Sequence, residues 1–308
     1  NEVDNQEAIN DDADSDGDDE YLSTENYDDD IIYDSFNKKL IVFVGPHETD
    51  AIDVTKFFVN YASANDVYEP LESFNGWSWP LIEDDLIEKP PHHVFDYLVT
   101  DPGREDIQNV IIEGIIDTWN NSTKGVIIGS LNFDAVGANP YSDYDPIGVL
   151  YRLEDELGLS REDVTVVVNY RSPRFDHWSA IWYNHFVSDD YEDFICSDDE
   201  QSDKRWEWLD VAMNPFKIAH IYHDQGWNVA VIDQESAINA GTDTSHIIAC
   251  HLMEGVNCAN GLIHGLEDVV SGYEDVIPMN SMTEDDRREL EQLFRERDCN
   301  YKYELKDK

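Results

Sequence analysis

Short apolar runs alternate with amphipathic stretches from about residue 38 onward. The runs are rich in Val and Ile and are bounded by turn residues, which is typical of buried strands, and they lie at 40–45, 125–129, 163–169 and 227–233. Stretches with a helical period separate them, at 51–63, 105–119, 145–157, 174–186, 205–225, 242–253 and 283–297. Strands that alternate with helices predict an α/β fold with a mainly parallel sheet, each strand buried on both faces.

Two stretches depart from this pattern. Residues 66–104 carry five prolines and predict an irregular connection. Residues 1–36 have low hydrophobicity and hold 15 acidic and no basic residues. Such a segment cannot bury enough apolar surface to fold. The expected division is an acidic disordered arm over 1–36 and one α/β domain over 37–308.

The charge of the chain limits its partners. The 308 residues include 68 acidic and 20 basic side chains, giving a net charge of −48, of which −33 lies outside the arm. Such a surface repels nucleic acid, anionic membranes and polyanions, and it attracts divalent cations and basic proteins. Nucleic-acid binding is therefore excluded, and cations or basic proteins are the expected partners. Adaptation to a saline or mineral-rich exterior explains the same composition without a specific partner.

Several features favour a secreted, cell-surface or secretory-lumen protein. No apolar run is long enough to span a bilayer. Asn120 and Asn121 begin two overlapping glycosylation sequons. Cys250 and Cys258 flank a short loop with a glycine and can form a disulfide, which would leave Cys196 and Cys299 as a second pair. The alternative is four free thiols.

The arm contains the beginning of a calcium-loop pattern. Asp12, Asp14 and Asp16 alternate and are followed by Gly17 and Asp18, as in loops whose carboxylates converge on one ion. The twelfth position, however, is Ser23 rather than Glu. We therefore expect diffuse attraction of calcium more than a defined site, and a calcium-binding acidic surface protein remains one functional alternative.

Residues 163–182 carry the most specific motif. A Val-rich strand ends near Tyr170, Arg171 follows, and Ser179 comes eight residues later on a predicted helix with Trp178 and Trp182. An arginine at a strand end and a hydroxyl on the next helix can grip an anion. This segment resembles the 3′-phosphate-binding segment of sulfotransferases, which use the sulfate donor PAPS. The alternative is that Arg171 pairs with a neighbouring carboxylate.

The resemblance extends weakly over residues 38–300 and implies a P-loop-like sulfotransferase architecture, with PAPS or PAP as cofactor and a carbohydrate or other hydroxyl compound as acceptor. The first loop is similar to that family's 5′-phosphosulfate loop, but its chemistry is altered. Glu48 stands where the family has Lys, Asp50 where it has Gly, and Ile52 where it has a hydroxyl. The corresponding residues are Pro46, His47, Glu48, Thr49, Asp50, Ala51 and Ile52.

These changes oppose binding of a phosphosulfate. At an effective dielectric near 20, a like charge at about 4 Å costs up to roughly 4 kcal/mol. The loop also lacks the Gly-Lys-Ser/Thr of a Walker A sequence. The expected function is therefore a sulfotransferase-like protein with lost or weakened transfer and a binding or matrix-type role, and the alternative is an active sulfotransferase. His47 is the nearest candidate base by position, but for His47, as for His177, Glu113 and Asp117, a structural or solvated role is expected ahead of catalysis.

The net charge generates a prediction about stability. Self-repulsion destabilises a fold of this charge at low ionic strength, and salt screens it. The melting temperature should rise from low salt to about 0.5 M salt, and rise further with millimolar calcium. Thermal unfolding followed by circular dichroism measures this, and a flat or falling curve would show that the acidic groups are already paired or well separated.

Overall fold

The computed structural model describes residues 38–45, 49, 51–63, 74–100, 103–134, 136, 144–171, 177 and 214–269. Five described strands form one sheet: β1 (Lys39–Val44), β2 (Trp77–Ser78), β3 (Gly125–Gly129), β4 (Val164–Tyr170) and β5 (Asn228–Asp233). They lie in the order β2-β3-β1-β4-β5, and every pairing is parallel. The predicted α/β fold with a mainly parallel, helix-flanked sheet is confirmed.

The central strands are apolar because helices cover both faces of the sheet. Every residue of β3 is buried, as are five of the six residues of β1. The prediction that each strand is buried on both faces is wrong for β5. This strand forms an edge of the sheet, only Ile232 is fully buried along it, and Val231 is 40% exposed.

Five of the seven described helices lie where the sequence predicted helices, whereas those at 96–100 and 234–239 were not predicted. The described helices are α1 (Ala51–Tyr61), α2 (Asp96–Thr100), α3 (Glu105–Asn121), α4 (Pro146–Leu157), α5 (Pro215–Asp224), α6 (Gln234–Asn239) and α7 (Thr244–Leu252). Their ends follow from local chemistry. Asp145 accepts a hydrogen bond from the Gly148 amide at the start of α4, and Gly158 ends that helix at φ +64°.

Part of the stretch predicted to be irregular is structured. Residues 66–104 include β2 and α2, and their aromatic side chains enter the core. Trp79 stacks on Phe58 of α1, with ring centroids 6.3 Å apart, and contacts Phe95 edge-on at 5.3 Å. A two-residue strand is too short to show a period of two, so no pattern in the sequence could indicate it.

A small hairpin follows the sheet. Strands β6 (Cys258–Ala259) and β7 (Leu262–Ile263) pair antiparallel. A disulfide joins Cys250 of α7 to Cys258, in agreement with the predicted pair. Trp77 Nε1 donates a hydrogen bond to the Glu254 carbonyl inside the ring that this disulfide closes, at 3.1 Å. The disulfide therefore fixes the end of α7 against β2.

Two further predictions concern the course of the chain. No helix in the described ranges is long and apolar enough to cross a membrane. The helices expected at 174–186 and 283–297, the Cys196–Cys299 pair and the whole of the 1–36 arm lie outside the described residues, so the division at 36/37 stays a prediction.

Candidate functional site

The candidate site lies where the connections that leave neighbouring strands diverge. After β1 the chain runs through α1 towards β2 at one edge of the sheet, whereas after β4 it runs towards β5 at the other edge. Because β1 and β4 are adjacent, the point where the strand order reverses lies outside their carboxyl ends, which is where open α/β sheets bind ligands. We call this region the β1–β4 crevice. Both segments that the sequence singled out begin at this crevice.

Asn169, near the end of β4, joins the segments around the crevice. Its side-chain amide donates to the Thr49 carbonyl in the β1–α1 loop, with a nitrogen–oxygen distance of 2.6 Å. Its side-chain oxygen accepts a hydrogen bond from Thr244 Oγ1 at the start of α7, at 3.2 Å. All three residues are buried, so these bonds form away from competing water.

Arg171 follows β4 directly and is only 4% exposed. No other arginine in the described part of the chain is buried. A guanidinium held at the carboxyl end of a parallel strand can bind a phosphate or carboxylate through two parallel hydrogen bonds. The structure thus places Arg171 and Thr49 at one crevice. Pro46, His47, Glu48, Asp50 and Ser179 lie outside the described residues.

The turn between β1 and α1 is sterically tight. A Cβ at Gly45 would lie 2.4 Å from the Ala51 Cβ, so only glycine fits where the chain leaves β1. Ala51 begins α1, and a helix amino terminus favours a negative group. Asp53 already places a carboxylate in the first turn, and Lys56, which is 49% exposed, lies 3.6 Å from it. The first turn of α1 therefore already carries a negative charge, which is unfavourable for an anion at this helix start.

The start of α7 is joined to the end of β4 through Thr244. Asp243 accepts a hydrogen bond from the His246 amide and so caps the helix. The His246 ring is fully buried, with Nδ1 3.0 Å from Asp243 Oδ1 and Nε2 3.2 Å from the Leu266 carbonyl. These contacts fix the helix start and therefore the position of Thr244 against Asn169.

A polar array that the sequence did not reveal lies beside β1 on the opposite side from β4. Ser130 directly follows β3, and its hydroxyl donates to Asp96 Oδ1 at 2.5 Å. Asp96 Oδ2 accepts from His93 Nδ1 at 3.1 Å and lies 3.6 Å from Lys89 Nζ. Asp96 itself is 7% exposed. Residues 34 positions apart meet here, and no local spacing could indicate it.

This array has the geometry of a proton acceptor. When His93 donates from Nδ1 to Asp96, its Nε2 carries a lone pair, and within the described chain Nε2 has no hydrogen-bond partner. The neighbouring His92 ring lies 4.5 Å from that of His93, centroid to centroid. Burial lowers the pKa of His92, and the positive charge of Lys56 lowers it further. His92 is therefore neutral near pH 7.

The remaining candidates do not join the crevice chemistry. Glu113 and Asp117 are solvent-exposed on α3, and His177 is buried, as expected for solvated and structural residues. Asn120 and Asn121 are exposed at the end of α3, so both are accessible to a modifying enzyme. No group of three metal-ligating side chains occurs in the described ranges, and Asp12, Asp14, Asp16 and Asp18 lie outside them.

No protein-family model matches the chain. No curated protein matches it significantly either.

The buried Asn169 contacts generate a prediction about stability. Asn169→Ala leaves the Thr49 carbonyl without its donor and the Thr244 hydroxyl without its acceptor, so the free energy of unfolding should fall by about 2–4 kcal/mol. Thr244→Val removes one of the two bonds and should cost about 1 kcal/mol. Urea denaturation of both variants and the double variant measures these values. A loss below about 0.5 kcal/mol for Asn169→Ala would contradict the bridging role.

Proposed function

We propose that the domain is a sulfotransferase-like protein whose PAPS-dependent transfer is lost or weakened and which acts as an acidic binding or matrix-type protein outside the cytoplasm. The observation that carries the proposal is the buried Arg171 at the β1–β4 crevice, next to a strand–turn–helix loop without the expected lysine. Arg171 retains a means of holding a phosphate, while the loop lacks the means of holding a sulfate donor.

The retained half of the site is the 3′-phosphate half. We assign this half to Arg171 because it directly follows β4, and its burial would strengthen an attraction for a dianion, since little water screens it. Asn169, two residues earlier, ties this strand end to the β1–α1 loop. A ligand bound by Arg171 would therefore also face that loop.

The altered half is the 5′-phosphosulfate half. Glu48 and Asp50 bring two carboxylates to a loop that must approach a dianion, and Asp53 adds a third in the first turn of α1. A side chain at position 50 also hinders the close backbone approach that glycine permits. Several kcal/mol of repulsion corresponds to a loss of about a thousandfold or more in affinity. PAP or PAPS should therefore bind too weakly for turnover.

The binding role follows from the rest of the surface. A net charge of −48 favours divalent cations and basic proteins as partners. The Cys250–Cys258 disulfide and the exposed Asn120 and Asn121 are compatible with a secretory compartment, because disulfides persist in oxidising environments. Calcium is the expected cation, and the arm at 1–36 is the expected segment that attracts it. A carbohydrate partner remains part of the proposal through the family resemblance.

The test restores the missing chemistry. Wild-type protein should show no measurable PAP binding by calorimetry at about 100 µM, which corresponds to a binding free energy weaker than about −5.5 kcal/mol. The triple variant Glu48→Lys, Asp50→Gly, Ile52→Thr removes two negative charges, adds one positive charge, and restores the backbone approach and the hydroxyl. It should bind PAP measurably.

Arginine variants of the triple mutant provide the controls. Adding Arg171→Ala should abolish the restored binding, whereas Arg171→Lys should retain part of it because the charge remains but the two-pronged geometry is lost. Arg104→Ala is the matched control, because Arg104 is 49% exposed and pairs with Asp106 away from β1 and β4. Tight PAP binding by the wild type would refute the loss of donor binding.

One observation favours the second candidate, an active sulfotransferase. The His93–Asp96–Ser130 array lies next to β1 at the carboxyl end of β3, and His93 Nε2 is available to accept a proton from a hydroxyl acceptor. Under this alternative, sulfate transfer from PAPS to a carbohydrate acceptor is detectable in the wild type.

A pair of histidine variants tests this second candidate. If transfer is detected, His93→Gln should reduce the rate about a hundredfold, as the loss of a general base does. His220→Gln should leave the rate unchanged, because His220 is exposed and pairs with Asp224 on α5. Absence of transfer with every acceptor tested, in a protein that folds normally, would exclude the active enzyme.

A further inference from the structure

Two Asn-Gly turns in the described chain share one backbone conformation. Asn75 and Gly76 have φ values of +44° and +89°, and Asn260 and Gly261 have values of +55° and +80°. Positive φ at both central residues is typical of the tight turns for which Asn-Gly is preferred. The second turn closes the β6–β7 hairpin, between the paired residues Ala259 and Leu262.

The surroundings of the two turns differ. Asn75 Nδ2 donates to the Gly255 carbonyl at 3.1 Å, and the Gly76 carbonyl accepts from the amides of Thr123 and Lys124 at 3.1 and 3.0 Å. A Cβ at Gly76 would meet Thr123 Oγ1 at 1.9 Å, so that turn is closely packed. The first Asn-Gly pair is therefore held at both the side chain and the backbone.

The second Asn-Gly pair, Asn260 and Gly261, has few contacts. Asn260 is exposed and Gly261 is half-buried, and a Cβ at Gly261 would have nothing within 4 Å. Within the described ranges the Asn260 side chain makes no hydrogen bond, and the contact made by Gly261 is the bond that its carbonyl accepts from Thr242 Oγ1 at 3.3 Å. The Asn260 amide and the following peptide nitrogen are therefore free to approach one another.

We propose that Asn260 is a site of spontaneous, self-catalysed deamidation, while Asn75 is protected by its contacts. The Gly261 peptide nitrogen loses its proton to hydroxide and attacks Asn260 Cγ. A carbon–nitrogen bond forms, the side-chain carbon–nitrogen bond breaks, and ammonia leaves to give a five-membered succinimide. One water molecule then opens the ring at either carbonyl, giving aspartate or isoaspartate. Glycine favours the attack because it has no Cβ and is conformationally free.

The products change the hairpin. Either product adds a negative charge to an already acidic chain. Isoaspartate also inserts an extra backbone carbon into a two-residue turn, which breaks the register of Cys258 with Ile263 and of Ala259 with Leu262. Ile263 is fully buried and β7 packs on α7, so the change reaches the helix that carries Thr244.

The experiment compares the two turns within one molecule. Folded protein is incubated in mildly alkaline buffer, digested, and analysed by mass spectrometry with fragmentation that separates aspartate from isoaspartate. Asn260 should convert with isoaspartate as a product, and Asn75 should convert roughly two- to tenfold more slowly, because one net hydrogen bond must first be broken. In urea-unfolded protein the two rates should become equal, since both dipeptides are Asn-Gly.

The variant Asn260→Gly provides the matched control. It retains a residue that accepts positive φ and removes the reactive amide, so conversion at this position should disappear with the hairpin unchanged. Equal rates at the two turns in the folded protein, faster conversion at Asn75, or no conversion at Asn260 while the unfolded chain reacts would each overturn the proposal.

Discussion

The buried amide of Asn169 is the contact on which the carboxyl edge of the sheet depends. It joins segments that are 120 and 75 positions away in the sequence, through the Thr49 carbonyl and the Thr244 hydroxyl. An amide is suited to this position because it donates and accepts at once. Since all three residues are buried, the loop after β1, the end of β4 and the start of α7 hold their positions together.

Arg171 lies two residues after Asn169, at the same end of β4. In a chain with 68 acidic residues, a buried guanidinium is expected to be neutralised by protein carboxylates, and exposed cations such as Arg104 and Lys56 do lie close to neighbouring aspartates. Arg171 lies at the carboxyl end of β4, beside β1, where the connections of the two strands diverge, which is a ligand position in this class of sheet. Under the proposed function, the buried Arg171 favours an anion, whereas the acidic residues Glu48 and Asp50 in the β1–α1 loop disfavour one.

The sequence predicted those features that repeat along the chain. The bounds of β3 were predicted correctly, because a strand that is buried along its whole length reads as an uninterrupted apolar run. The glycine at 158 marks the end of α4, since the residue after the helix adopts positive φ. β2 could not be predicted, since two residues have no period. The exposure of β5 depends on its being an edge strand, which follows from the strand order rather than from its composition.

Some residues of the candidate site could also be recognised from the sequence, and others could not. Arg171 was recognisable because a strand, an arginine and a predicted helix follow one another in sequence. Asn169 gave no signal, because an asparagine near a strand end is ordinarily a turn residue, and its partners lie far along the chain. The Asp96–Ser130 contact depends on a connection that the prolines marked as irregular. Hydrogen bonds between elements that lie far apart in the sequence can be recognised only once the fold is known.

A crystal structure of the loop-restored triple variant with PAP tests the central claim most directly. The account predicts the 3′-phosphate within hydrogen-bonding distance of the Arg171 guanidinium, at about 2.7–2.9 Å, and the 5′-phosphate against the amino terminus of α1. The amide of Asn169 should keep its bond to the Thr49 carbonyl. A nucleotide bound away from the β1–β4 crevice, or a 3′-phosphate without contact to Arg171, would contradict the account.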